Sequence, residues 1–139
     1  MYLRFNCKHR KLADGIWAKE PIIPITIIGK DCRADFTAVL DSGSDFFLVS
    51  QGIADALQID YSGGTELKSE TFEGQEFKTK ITTINFEIKK GRETIRGQCK
   101  AAISINGPDY PNIILGSSFF EHFEIIFDYP NNKFIIKSK

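Results

Sequence analysis

The chain has no excess of charge. Its 18 lysines and arginines balance 18 aspartates and glutamates. No bulk field therefore argues for nucleic acid or a membrane surface as partner, and none opposes self-association. It has no CxxC pair. Cys7, Cys32 and Cys99 are odd in number and widely spaced, which speaks for free thiols in a reducing compartment and against a disulfide framework. The only histidines are His9 and His122, and no ligand pair has zinc-like spacing, so no metal is expected. Gly-x-Ser-x-Gly is absent, and the histidines lie far from Ser42 and Ser44 in sequence, which removes the case for a serine nucleophile with an activating base. No apolar run approaches the ~20 residues of a membrane-spanning helix, and Met1-Tyr2-Leu3-Arg4-Phe5-Asn6 lacks the long apolar core of a secretory signal. The expectation is a cytoplasmic protein with no membrane and no nucleic-acid partner.

What is present is enough for one domain with its own core. The expected boundary is a basic arm over 1–20, solvated, with one or two strand-like stretches and carrying Arg4, Lys8, Arg10, Lys11 and Lys19, followed by a folded domain over 21–139. From Pro21 the chain turns β-branched. Ile22 to Ile28 reads as a strand with its prolines near the start, where they least disturb pairing. Ala34 to Leu40 is a second strand and Phe46 to Val49 a short third. Ser50 suits the N-cap of a short helix over Gln51 to Leu57, with Ile53, Ala56 and Leu57 on one face. Ile84, Phe86 and Ile88 alternate with polar neighbours, the period of a half-exposed strand. Ser117 or Ser118 can cap a second short helix, whose Phe119, Phe120 and nearby Phe123 read as core. Pro130-Asn131-Asn132 separates two last strands. The class is all-β with two short helices.

Two segments carry chemistry. Ala38-Val39-Leu40 runs into Asp41-Ser42-Gly43-Ser44, and about seventy residues later Ile113-Ile114-Leu115 runs into Gly116. An acid on a glycine turn at the end of an apolar strand is a way to hold a carboxylate in a low-dielectric cleft. Hydrolysis by carboxylates needs two acids sharing one proton, so that one draws a proton from water while the other donates to the scissile carbonyl. This expects each acid to be buried, hydrogen-bonded and rigid. Yet the chain has only one such motif.

Leu40-Asp41-Ser42-Gly43-Ser44-Asp45, followed by Ile114-Leu115-Gly116 and a short helix, resembles the retropepsin-like aspartic proteases. The resemblance covers roughly residues 21 to 138. It implies a closed acid-protease β-barrel completed by dimerisation, and an aspartic endopeptidase active as a homodimer on polypeptide substrates, with no cofactor. Position by position, it implies Asp41 as the catalytic acid and Ser42, Gly43 and Ser44 as its loop. Gly43 and Asp45 would hydrogen-bond the substrate backbone, Phe72, Glu73 and Gly74 would form the flap tip, and Ile114, Leu115 and Gly116 would be the strand behind the catalytic loop.

The chain departs from the family at three places. Its flap is poor in glycine. Ser117 stands where retroviral enzymes carry an arginine that pairs with the acid at the Asp45 position, and Ser42 stands where threonine is usual. The first two motivate an alternative, a non-catalytic dimeric peptide-binding or assembly module on the same fold. A third reading is a small β-barrel that binds nucleic acid through the basic arm.

Overall fold

The computed structural model describes residues 1–70, 73–107 and 113–138. Three strands open the chain: β1 (Tyr2–Asn6), β2 (Lys8–Ala13) and β3 (Ile16–Glu20). The main sheet follows with β4 (Ile22–Ile28), β5 (Arg33–Leu40), β6 (Phe47–Ser50), helix α1 (Gln51–Ala56), β7 (Thr65–Glu70), β8 (Glu76–Lys90), β9 (Glu93–Ile105) and β10 (Ile113–Leu115). Helix α2 (Ser117–Phe120), β11 (Phe123–Asp128), a 3-10 turn (Tyr129–Asn131) and β12 (Lys133–Ser138) complete the described chain.

The main sheet has the order β4-β5-β10-β6-β9-β8-β7, and β4 also pairs with β8. That second pairing, Thr26 to Ile28 against Glu87 to Asn85, closes six strands into a barrel and leaves β7 as an outward extension of β8. Six strands thus form, within one chain, the closed β-barrel expected from the family resemblance. Alternation along the strands fills the interior: Ile84, Phe86 and Ile88 of β8 are buried, as are Ile23, Ile25 and Ile27 of β4. The Phe86 ring packs on Phe47, Phe119 and Phe123. Gly97 leaves room for that ring, because a Cβ there would lie 2.5 Å from Phe86 Cζ.

Glu87 departs from the expected alternation. It is only 3% exposed, although its strand neighbours Phe86 and Ile88 face the core. Arg33 and Arg96 each approach its carboxylate at 3.1 Å and Lys89 at 3.6 Å. Burial acts to raise its pKa, but the three cations outweigh burial and hold the carboxyl below its ordinary value.

The basic arm is not uniformly solvated. β1 pairs antiparallel with β12, which in turn pairs with β11, and Leu3, Phe5 and Cys7 belong to the core. The reason is a period of two hidden among polar neighbours: Leu3 and Phe5 point inward while Tyr2, Arg4 and Asn6 point out. Phe5 stacks on Phe134 at 5.5 Å. Every residue of β2, by contrast, is exposed, and β2 pairs only with β3. Helix α1 starts as expected, with Ser50 Oγ accepting from Ile53 N, but Ala54 rather than Ala56 faces the core.

Candidate active site

β10 is inserted between β5, parallel to it, and β6. This places the segment ending at Gly116 directly behind the loop that joins β5 to β6. Ile113 and Leu115 point into the core, while Ile114 points to the other side, into a cleft of about 520 Å³. Asp41 is the first residue after β5, and its N–H donates to Leu115 O at 2.9 Å. The loop then folds on itself. Gly43 N donates to the Asp41 carboxylate at 2.9 Å, and Ser44 N donates to Asp41 O at 3.1 Å. One carboxylate oxygen is thus fixed by backbone, which sets the side chain's direction.

The rest of the loop is pinned from behind. Ser117 N donates to Ser44 O at 2.8 Å and Ser118 N to Asp45 O at 3.1 Å. Gly116 makes this approach possible, since a Cβ there would collide with the carbonyl oxygens of Ser44 and Phe46. Neither serine caps α2. Gly116 is the N-cap and supplies no side-chain bond. The Ser118 hydroxyl is used instead to accept from Phe47 N at 2.8 Å and donate to Lys100 O at 2.7 Å. Sequence reasoning assigned no such role to Ser118. Its only signal was a serine pair directly after the apolar-apolar-glycine run.

Asp41, Gly43, Ser44 and Asp45 line one wall of the cleft, and Leu67, Lys68, Ser69, Glu70 and Phe77 of the β7–β8 hairpin line the facing wall. Glu73 and Gly74 lie at the exposed tip of that hairpin, where Gly74 takes a left-handed φ of 82°. Phe72 falls outside the described residues, as does Asp109, which the sequence suggests is a solvated loop acid. Ser42 is exposed, and its hydroxyl has no partner among the described residues. The Asp45 carboxylate is likewise exposed, with no ion pair among the described residues. Of the positions picked from the sequence, Asp41, Gly43, Ser44, Asp45 and Ile114 line the cleft, whereas Ser42, Glu73, Gly74, Leu115 and Gly116 are not among its lining residues.

The expected burial of Asp41 is not found: in the single chain it is exposed. The barrel covers the loop from behind, and the hairpin faces it across an open cleft. Among the described residues none covers the remaining side. Among the described residues no group of His, Cys, Asp and Glu has metal-holding geometry, and no helix is long and apolar enough to cross a membrane.

Residues 23–119 match the family model described as aspartyl protease, and the chain belongs to that family. The match spans both the Asp41 loop and the Gly116 segment. A retropepsin-like aspartic protease from Rickettsia conorii is similar in structure at a TM-score of 0.59 and 18% identity, with 98% of this chain and 91% of that chain covered. This likeness establishes the fold as retropepsin-like. EIAV protease in complex with an inhibitor aligns at a TM-score of 0.41 and 20% identity, over 74% of this chain and 86% of that one. No curated protein matches the chain. Family and fold together support protease activity in general.

Proposed function

We propose that the chain is an aspartic endopeptidase that acts as a homodimer, with the two Asp41 carboxylates as its catalytic pair. The observation that carries this reading is the single Asp41 carboxylate, fixed by Gly43 N–H on a loop pinned from behind and open on the side where a second copy would sit. Two such acids brought together cannot both ionise cheaply. The ionised one takes a proton from a water as that water attacks the scissile carbonyl carbon. The protonated one donates to the carbonyl oxygen, and the tetrahedral intermediate then collapses with protonation of the leaving nitrogen. The exposed Ser42 hydroxyl, without a partner among the described residues, would bond across the pair. Substrate would lie extended between the loop and the β7–β8 hairpin, adding its backbone to the strand edges. Gly43 and Asp45 would contact it from the floor, and Phe72, Glu73 and Gly74 from the flap. Free thiols at Cys7, Cys32 and Cys99 support a cytoplasmic setting. The reading invokes no cofactor, nucleic acid or membrane.

The test is cleavage of an unfolded protein from about pH 3 to pH 7 by the wild-type chain and by Asp41→Asn. Cleavage by the wild type alone, strongest on the acid side where one carboxyl is protonated, is the expected result. Equal cleavage by both proteins would sink the catalytic role of Asp41. The exposed Asp45, without an ion pair among the described residues, favours one second reading, a dimeric peptide-binding or assembly module without catalysis. Peptide binding by both proteins with cleavage by neither would select it.

A further inference from the structure

Seven of the nine large exposed hydrophobics among the described residues lie on the terminal sheet, its turn at Tyr129–Asn131 or the β2–β3 hairpin; Met1 precedes β1 and Leu67 lies on β7. The hairpin is apolar at its far end, where Leu12, Ile16 and Trp17 are 55%, 56% and 59% exposed. Successive residues Ile16 and Trp17 point to opposite faces of the strand, so both faces of the hairpin present apolar groups. Such a tip is covered only by something that wraps around it or that it inserts into. The hairpin is also anchored. Lys19 Nζ donates to Tyr129 O at 2.6 Å and His9 Nε2 meets Asn132 Oδ1 at 2.9 Å. These bonds set its base beside the end of β11, which carries exposed Ile126 and Phe127.

β12 is hydrogen-bonded on both sides, so the free edges of the terminal sheet are β1 and β11. The charge distribution then narrows the choice of occupant. Lys8, Arg10, Lys11 and Lys19 against Asp14 and Glu20 give the hairpin a net charge of +2; because the whole chain is neutral, the remainder carries −2. The hairpin therefore complements the body of the same protein. A lipid surface is less suited, because the apex would bring with it Asp14, whose carboxylate is fully exposed and paired with Lys11 at 3.0 Å.

We infer that the β2–β3 hairpin is a clasp that closes on the body of a second copy, extending an interface that begins at Ile126, Phe127 and Tyr129. The inference rests on the homodimeric reading above, in which the site is incomplete until the second Asp41 arrives. Each protomer would hold the other with an arm whose net charge is opposite to that of the rest of the chain.

Trp17 is the only tryptophan, so its fluorescence reports the clasp directly in the full chain. Sedimentation and acrylamide quenching are measured over a dilution series for the wild type and for Leu12→Ser/Ile16→Ser, with circular dichroism as the check on folding. The expected result is a wild-type dimer in which Trp17 is shielded and becomes quenchable as the dimer dissociates. The double variant should keep its circular dichroism and dissociate at a concentration higher by about tenfold or more. A dimer of equal tightness in both proteins, with Trp17 equally quenchable at every concentration, overturns the clasp and leaves the dimeric site standing. A wild-type chain that stays monomeric at every concentration removes the dimeric reading itself. Shielding of Trp17 only on addition of phosphatidylserine-containing vesicles also overturns the clasp, and makes the hairpin a membrane element.

Discussion

Gly116→Ala tests whether the Asp41 loop is held by close backbone approach. Gly116 has φ −104° and ψ −158°, an extended conformation open to any residue, so the cost of a methyl group is steric and not conformational. Its Cβ would lie 2.5 Å from Phe46 O, closer still to Ser44 O, and 2.8 Å from the Ser44 carbonyl carbon. Ordinary contact begins near 3.4 Å, so the opposing backbone must yield by about 0.9 Å or more. It cannot yield freely, because Ser117 N–Ser44 O, Ser118 N–Asp45 O and Phe47 N–Ser118 Oγ tie the same stretch at 2.8 to 3.1 Å. Overpacking costs about 1–3 kcal/mol, and weakening one or two of these bonds adds about 0.5–1.5 kcal/mol each. A loss of about 1.5–6 kcal/mol follows. With an unfolding entropy of about 2.1 cal/mol/K per residue, a chain of 139 residues loses about 3.4 °C of Tm per kcal/mol, so Tm falls by about 5–20 °C. Gly29→Ala and Gly64→Ala are the controls, since their Cβ atoms would collide with Leu57 O and Ile81 O, away from the loop. All three variants should melt early by calorimetry. Only Gly116→Ala should also lose peptidase rate when each is assayed well below its own Tm. A Gly116→Ala protein that is within about 0.5 kcal/mol of wild type and fully active would refute the pinned-loop argument.

Three further outcomes follow from the same structure. Glu87, held below its ordinary pKa of 4.5 by Arg33, Arg96 and Lys89 despite burial, contributes stability that is present above that ordinary value and is lost as pH falls through the lowered folded value. Urea midpoints measured against pH should therefore show a flatter acid limb in Glu87→Gln, and identical limbs would disprove the linkage. Burial pushes the Cys99 thiol up to about 12 and raises Cys7 as well, whereas Cys32 is exposed. One thiol should react quickly with a disulfide reagent near neutral pH and two only on unfolding; three fast thiols would contradict the described core. Gly52 lies in α1 with open space around its Cβ position. Gly52→Ala should raise the urea midpoint by the equivalent of about 0.5–1 kcal/mol, and no gain would show that the helix is not limited by backbone entropy.

How far the sequence could be read depended on the range of the interaction. Asp41 was legible because a strand, an acid and a glycine turn are local signals, and so was the Ser50 cap, three residues from the N–H it accepts. The terminal strands were legible from the turn signal Pro130-Asn131-Asn132 between them. The place of β1 in the core was not, because Leu3 and Phe5 sit among polar and basic residues and their partners are Ile136 and Phe134, at the other end of the chain. Glu87 was missed for a related reason. Two of the cations that compensate its burial, Arg33 and Arg96, come from other strands, and no local pattern announces them. Ser118 likewise joins Phe47 to Lys100 across three elements. The exposure of Asp41 belongs with these cases at a longer range again. The motif fixes where the carboxylate points, but its desolvation is set by whatever covers the open side of the cleft. On the dimeric reading that cover is another molecule, so a carboxylate exposed in the isolated chain is the expected state of half a site.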